Sequence, residues 1–193
     1  SIVNHGYDPG LRERLHRSAA AFFELPTETK DRIAMRRAGR AWRGWFPLGG
    51  ELTSGVADMK EGIYFGEELT PDHERVAAGV PLHGANLFPP EVPELRAAVL
   101  AHMSAMTFLG RRLMEALGHY LDVYPAVIDE LCVEPTVLFR IFRYPSTASD
   151  AELGGNVPGQ WGVAEHTDYG LLTMLDQDDH GGLEVCIEGE WLT

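Results

Sequence analysis

Residues 166–175 read HTDYGLLTML, and this stretch decides how the rest of the sequence is interpreted. His166 and Asp168 are two positions apart at the predicted end of a strand, so their side chains point to the same side of the sheet. An imidazole nitrogen and a carboxylate oxygen held this close are two of the three ligands in the 2-His-1-carboxylate arrangement that binds Fe(II). The spacing alone also arises by chance, and a structural histidine bonded to a surface aspartate is then the better explanation.

The surrounding sequence predicts short strands separated by turns. Residues 136–144 are rich in β-branched and aromatic side chains and end at Pro145, which predicts a strand. A polar loop over residues 145–160 is expected next. Three more strands are predicted where apolar runs lie between glycine turns, over residues 161–166, 171–176 and 183–187.

The first part of the sequence is predicted to be mainly helical. Asp8 and Pro9 form a typical helix start, and apolar residues recur at helical spacing until Pro26. Residues 39–58 have the composition of a loop, and a short strand is expected over residues 60–65. Further helices are predicted over residues 26–37, 93–121 and 125–131. Helices followed by closely spaced strands indicate an α+β protein whose sheet forms a sandwich or a barrel.

Composition excludes several classes of function. The formal net charge of −13 would repel phosphate backbones, so nucleic acid is not an expected partner. No apolar run approaches the roughly 20 residues of a membrane span. Cys132 and Cys186 do not make a disulfide framework, and nothing resembles a signal peptide. The expected location is therefore the reducing cytoplasm.

The stretch over residues 166–175 closely resembles the metal-binding strand of the isopenicillin N synthase-like, Fe(II)/2-oxoglutarate-dependent dioxygenases. The likeness favours a metal-binding role for His166 and Asp168 over a purely structural one. Further likeness follows in family order along nearly the whole chain, at residues 2–6, 22–26, 43–45, 60–61, 139–145, 177–178 and 181–185.

The resemblance implies a distorted double-stranded β-helix (jelly roll) with an N-terminal helical layer. Residues 1–132 would form the mainly helical region, and residues 133–193 the first strands of the jelly-roll core, as one structural unit. The family fold contains more strands than this sequence offers, and the sequence opens in what reads as the middle of a strand. We therefore expect a chain truncated at both ends.

The same resemblance implies a non-haem iron centre. Iron would be held by His166, Asp168 and a distal histidine, with 2-oxoglutarate as co-substrate and with O₂ and a small organic molecule as the other reactants. The distal histidine and the Arg-x-Ser pair that holds the far carboxylate of 2-oxoglutarate are expected outside this sequence. His180 is a poor substitute, because it follows Asp168 closely in a predicted turn.

Several aromatic residues allow two interpretations. Tyr144 matches a family tyrosine that helps to hold the co-substrate, but a core tyrosine would look the same. The family frequently has asparagine two positions earlier, where this sequence has Phe142, so one polar contact to the co-substrate is not expected here. Candidates for lining a substrate pocket, which burial alone explains at least as well, are Trp45, Phe46, Tyr64 and Phe65.

Three functions remain open from the sequence. The first is an oxygenase that couples decarboxylation of 2-oxoglutarate to oxidation of a small substrate. The second is a family member that oxidises its substrate without 2-oxoglutarate, as isopenicillin N synthase does. The third is a truncated, non-catalytic protein that keeps the fold. No motif identifies the substrate or the oligomeric state, since a fold does not choose among substrates.

Overall fold

The computed structural model describes residues 2–145 and 162–192, and these residues combine helices with antiparallel strands, which confirms the predicted α+β class. The helices are α1 (Pro9–Phe23), α2 (Thr27–Lys30), α3 (Glu74–Ala77), α4 (Pro93–Tyr120) and α5 (Pro125–Cys132). The strands are β1 (Gly44–Phe46), β2 (Leu52–Thr53), β3 (Val56–Ala57), β4 (Glu61–Gly66), β5 (Leu138–Arg143), β6 (Val185–Ile187) and β7 (Glu190–Leu192). Short 3-10 turns lie at Asp31–Ile33, Met35–Arg37 and Gly39–Ala41.

Helix α1 begins where the sequence predicts. The Asp8 side chain accepts a hydrogen bond from the Gly10 N–H at 2.8 Å, and Pro9 occupies the first turn, where a missing N–H does no harm. The buried face of the helix consists of Leu11, Leu15, Ser18, Ala19, Phe22 and Phe23. This face packs against α4, so the two helices form the helical layer of the core.

Helix α4 is the longest element, with 28 residues. Leu95, Val99 and Met103 recur at helical spacing and are buried in the core. The C-terminal part of α4 receives α5, whose Ile128 lies so close that a Cβ on Gly118 would be 2.6 Å from it. Despite the length of α4, no helix among the described residues is both long enough and apolar enough to cross a bilayer.

In the described residues, β1, β4 and β5 form one antiparallel sheet with β4 in the centre. Tyr64 of β4 lies opposite Arg140 of β5. At the start of β1, Gly44 has a φ of 104°, and a Cβ there would lie 2.2 Å from the carbonyl oxygen of Ile33. Glycine therefore allows the 3-10 turns to approach the edge of the sheet.

The two faces of this sheet have different environments, because side chains alternate along each strand. Ile63 and Phe65 of β4 are fully buried against the helical layer. Tyr64 lies on the opposite face, where its ring makes edge contacts with the rings of Phe46 and Phe142. We call this second side, which carries Phe46, Tyr64 and Phe142, the outer face.

A buried carboxylate connects the helix-facing side of the sheet to α2. Oε2 of Glu61 accepts hydrogen bonds from Lys30 Nζ at 2.7 Å and from Trp45 Nε1 at 3.0 Å. Oε1 accepts a third from the Arg143 guanidinium at 3.1 Å, and Lys30 also donates to the Phe23 carbonyl oxygen at 3.0 Å. A buried charge without such partners is strongly destabilising, so these bonds favour one register of β4 against β1 and β5.

The predicted second helix is too long. Its α-helical part ends at Lys30 rather than at residue 37, and the chain continues as 3-10 turns. Ala34 interrupts these turns with an extended backbone, φ −61° and ψ 144°, and forms a parallel bridge to Trp45. Tertiary pairing with the sheet therefore overrides the local helical preference.

The prediction of a loop over residues 39–58 is also wrong in part, because this region contains β1 and the β2–β3 hairpin. Ser54 and Gly55 connect the hairpin with φ values of 53° and 82°. Positive φ at both central residues is typical of a type I′ turn, which matches the twist of the strands. The many glycines give this region the composition of a loop, which is why the short strands were not predicted.

The strands predicted next to His166 and Asp168, which we call the metal pair, are not formed in the described residues. Residues 162–184 contain no strand, so the strands expected over residues 161–166 and 171–176 are not formed there, and Trp161 lies outside the described residues. The third begins at Val185 rather than at residue 183 and pairs with β7. A strand needs a neighbour for its backbone hydrogen bonds, and apolar patterning does not reveal whether a neighbour is present. Most of the predicted loop over residues 145–160 also lies outside the described residues.

The sheet draws on both predicted regions of the chain. Strands β1 and β4 come from residues 1–132, and β5 comes from residues 133–193. The division at residue 132 stays a prediction.

Candidate metal centre

His166 and Asp168 lie next to each other in the structure. Nε2 of His166 is 3.4 Å from Oδ1 of Asp168, and both side chains are about half exposed. Two ligand atoms on perpendicular axes, each about 2.1 Å from a metal ion, would be about 3 Å apart. The pair thus has nearly the spacing that two adjacent ligands of one metal ion require, even though residues 162–184 form no strand.

A backbone hydrogen bond orients the imidazole ring. Nδ1 of His166 lies 2.9 Å from the carbonyl oxygen of Ala164. A carbonyl oxygen can only accept, so Nδ1 carries a proton, and in the neutral ring the lone pair of Nε2 is then on the side of Asp168. Metal-binding histidines commonly use their second nitrogen in this way, which fixes both the tautomer and the direction of the ring.

The pair is not joined by a third ligand within residues 2–145 and 162–192, where no group of three His, Cys, Asp or Glu side chains could hold a metal ion. His180 forms a separate pair with Asp178, with 3.1 Å between Nδ1 and Oδ2. The backbone N–H of His180 also donates to Asp178, and these bonds lower the pKa of that carboxyl group. His180 is therefore engaged in its own turn.

The sheet separates the four aromatic candidates for a substrate pocket. Trp45 and Phe65 lie on the helix-facing side, where the indole N–H of Trp45 is bonded to Glu61 and Phe65 is fully buried. Phe46 and Tyr64 lie on the outer face. This placement favours a core role for the first two residues and leaves Phe46 and Tyr64 as pocket candidates.

Polar contacts hold the aromatic side chains of the outer face. The Tyr64 hydroxyl donates to Glu51, and burial together with this bond raises the pKa of Tyr64 far above its ordinary value. Lys60 Nζ lies 3.2 Å from Glu51, 2.9 Å from Asp58 and 4.5 Å from the centre of the Phe142 ring. Glu51 therefore already has two partners.

Tyr144 connects the outer face with the segment that carries the metal pair. Its half-exposed ring contacts Phe142 edge-on, with 6.4 Å between the ring centres. A Cβ on Gly162 would lie 2.7 Å from Tyr144 Cδ1, so glycine is what allows this backbone to approach the ring. Partial burial raises the pKa of the Tyr144 hydroxyl, which is therefore a neutral hydrogen-bond donor at physiological pH.

Two residues that the sequence did not single out also contribute to this region. Arg140 lies two positions before Phe142 on β5 and shares the outer face with it. Its guanidinium donates to the hydroxyl of Tyr169, the residue that directly follows Asp168. Period-two spacing from Phe142 and adjacency to Asp168 are the sequence signals that could have indicated them.

Two known protein families match parts of the sequence. Residues 1–91 match the family "non-haem dioxygenase in morphine synthesis N-terminal", and residues 135–193 match the "2OG-Fe(II) oxygenase superfamily". The chain belongs to the 2OG-Fe(II) oxygenase superfamily. The resemblance noted for residues 166–175 is thereby confirmed at the level of the family.

Curated relatives support this assignment. The "probable iron/ascorbate oxidoreductase" of Dictyostelium discoideum is 41% identical over 208 residues, which cover 100% of this chain and 57% of the relative. The 2-oxoglutarate-dependent dioxygenase citB of Monascus ruber is 34% identical over 99% of this chain and 59% of its own length. The chain thus spans under two thirds of these relatives.

Solved structures share the fold. A full-length protein of Neurospora crassa, in complex with alpha-KG and thymine, matches 98% of this chain and 58% of its own, with 25% identity and a TM-score of 0.75. The complex of the same Neurospora crassa protein with alpha-KG alone gives a TM-score of 0.73 at 26% identity, over 98% of this chain and 57% of its own. These matches confirm the predicted fold family, the double-stranded β-helix with a helical layer.

In this superfamily member, the segment that follows the metal pair is fastened to α1. Asp176 accepts two hydrogen bonds of 2.8 Å from the Arg12 guanidinium and one of 3.0 Å from His16. Arg12 also donates to the carbonyl oxygen of Gln177 at 2.9 Å. Desolvation alone would raise the pKa of Asp176, but the bonds from Arg12 and His16 outweigh it and lower the pKa. These bonds of Asp176 to Arg12 and His16, which we call the clamp, connect α1 with the segment that follows His166 and Asp168.

We expect Asp176→Asn to lower the thermal stability near pH 7, because it removes the charge that Arg12 binds. The loss should be no more than about 1 kcal/mol, since both partners are about two fifths exposed. A lowered pKa contributes stability above the ordinary value of an aspartate and loses it as the pH falls through the lowered value. The difference from wild type should therefore shrink below about pH 4.

Thermal unfolding followed by circular dichroism at several pH values measures this difference. Glu184→Gln is the control, because Glu184 is exposed and lies further along the same segment. It should have no comparable effect. Equal stability of wild type and Asp176→Asn near pH 7 would contradict the clamp.

Proposed function

We propose that the protein is a non-haem Fe(II) oxygenase that couples decarboxylation of 2-oxoglutarate to the oxidation of a small organic substrate by O₂. The observation that carries this proposal is the 3.4 Å approach of His166 Nε2 to Asp168 Oδ1, with Nδ1 of the same ring engaged by the Ala164 carbonyl. An imidazole and a carboxylate in this arrangement can bind one cation jointly.

The donor set fits ferrous iron. Imidazole nitrogen and carboxylate oxygen suit Fe(II), and two histidines with one carboxylate leave positions open for other reactants. In our proposal His166 and Asp168 supply two ligands, and a further histidine outside the described residues supplies the third. Bound iron would supply the redox chemistry. The residues of this chain would orient the ligands and surround the reactants.

The use of 2-oxoglutarate is supported by the relatives. The Monascus ruber relative is named a 2-oxoglutarate-dependent dioxygenase, and the Neurospora crassa protein was solved with alpha-KG. We propose Tyr144 as a co-substrate contact, because its ring lies against the segment that begins at Gly162. Phe46 and Tyr64 are proposed as walls of the substrate pocket. A nucleic-acid partner is not proposed, because the formal net charge is −13.

We predict that His166→Ala or Asp168→Ala in the full-length protein abolishes 2-oxoglutarate turnover while the fold is retained. Turnover should fall by more than about 100-fold, above the 10–100-fold loss that is common when only a group orienting a ligand is removed. The measurement is succinate formation with Fe(II), 2-oxoglutarate and O₂. Anaerobic addition of Fe(II) and 2-oxoglutarate should also give a weak visible charge-transfer band in the wild type and none in the variants.

His180→Ala is the matched control. His180 is also paired with a nearby aspartate, at 3.1 Å, but its side chain is 91% exposed. This variant should keep wild-type turnover and the charge-transfer band. Near-normal turnover in His166→Ala or Asp168→Ala would show that the metal ligands are misassigned, and a wild-type protein without the band would contradict the use of 2-oxoglutarate.

We also propose a cytoplasmic location. The support is that Cys132 and Cys186 form no disulfide in the described residues. A reducing compartment keeps cysteines in the thiol form. Fractionation of the source cells should recover the protein in the cytosol, and recovery from a secreted or membrane fraction would contradict this.

A further inference from the structure

Arg140 differs from the other arginines in how its charge is satisfied. Most arginines of the described residues pair with a carboxylate, as Arg12 does with Asp176. Arg40 and Arg43 have no carboxylate partner, but they donate to backbone carbonyl oxygens. Among the described residues, Arg140 has neither kind of partner and donates only to the Tyr169 hydroxyl.

Two tyrosine rings hold the Arg140 guanidinium in place. Its central carbon lies 4.7 Å from the centre of the Tyr64 ring and 5.5 Å from that of Tyr169. Tyr64 is itself fixed, because it lies opposite Arg140 in the sheet and its hydroxyl is bonded to Glu51. Aromatic faces attract a cation and orient its plane, but they do not neutralise it.

The carboxylate that is bound to Tyr64 is already engaged. Glu51 accepts from Tyr64 and lies 3.2 Å from Lys60 Nζ, so its charge is balanced within the outer face. A guanidinium carries five N–H donors in a rigid fork. One N–H of Arg140 donates to the Tyr169 hydroxyl, and the others remain available for a ligand. Such a fork matches the two oxygens of a carboxylate.

Arg140 is connected to the metal pair through Tyr169. Tyr169 directly follows Asp168 in the sequence, and consecutive Cα atoms are about 3.8 Å apart. A group bound by Arg140 at the Tyr169 hydroxyl is therefore one tyrosine side chain away from the backbone that supplies Asp168. Arg140 is half-buried, which strengthens a bond to an anion compared with a fully exposed arginine.

We propose that Arg140 binds a carboxylate of the organic substrate, so that the molecule oxidised at the His166–Asp168 pair is a carboxylic acid. The proposal rests on the proposed function for the presence of a reaction at this pair. Tyr64 and Tyr169 hold the guanidinium, and the substrate carboxylate takes the place that a protein carboxylate has at most other arginines of the chain. Arg140 thereby selects acids over their neutral amides.

The test uses four acids and their matched amides as probes: benzoate, phenylacetate, cinnamate and hexanoate, against benzamide, phenylacetamide, cinnamamide and hexanamide. Calorimetric titration measures binding to the full-length protein loaded with Mn(II) and 2-oxoglutarate without O₂. At least one acid should bind the wild type more tightly than its amide. Arg140→Gln should weaken that acid by about 10- to 100-fold and leave the amide unchanged.

Two further variants separate a lost charge from a damaged fold. Arg140→Lys keeps the positive charge and most of the side chain, so it should recover part of the preference for the acid. Arg32→Gln removes an arginine that is 66% exposed and paired with Glu91, and it should bind acids as the wild type does. If Arg140→Gln and Arg140→Lys are both indistinguishable from wild type, the proposal is wrong.

The co-substrate is the other source of a carboxylate, and a separate titration distinguishes it. Binding of 2-oxoglutarate to the Mn(II)-loaded protein should be the same in wild type and Arg140→Gln. A selective loss of 2-oxoglutarate binding would overturn the assignment to the organic substrate, as would failure of all four acids to bind the wild type. His166→Ala tests the proposed oxygenase function separately. This variant should lose metal-dependent turnover but still bind the acid more tightly than its amide.

Discussion

Side chains of a β-strand alternate between two faces, and this constraint separates the core of the protein from its candidate site. Along β4, Ile63 and Phe65 enter the helical core, whereas Tyr64 lies on the outer face with Arg140 opposite. A shift of one residue would exchange these two sets. Glu61 opposes such a shift, because its buried carboxylate is bound by Lys30 on the helix-facing side.

The elements that the sequence predicted well are those with strong local signals. The cap at Asp8 located the start of α1, and the apolar spacing from Leu95 onward located α4. The β-branched and aromatic run that ends at Pro145 located β5. The resemblance at residues 166–175 placed His166 and Asp168 side by side, as the structure has them. In each case neighbouring residues carry the information.

The features that the sequence did not predict depend on distant partners. Residues 171–176 have a strand-like pattern but no strand beside them in the described residues, and Asp176 is bound by α1 instead. The sequence also grouped Trp45 with Phe46, although adjacent residues of a strand face opposite sides. Arg140 went unnoticed because an arginine without a carboxylate is recognised only when all its spatial neighbours are known.

The proposed function depends on one ferrous ion held jointly by His166 and Asp168. The most direct measurement is an anomalous-diffraction map at the iron edge from crystals of the full-length protein grown anaerobically with Fe(II) and 2-oxoglutarate. One iron peak is expected about 2.0–2.3 Å from both His166 Nε2 and an Asp168 carboxylate oxygen. An iron peak bound by other residues, or no peak at this pair, would contradict it.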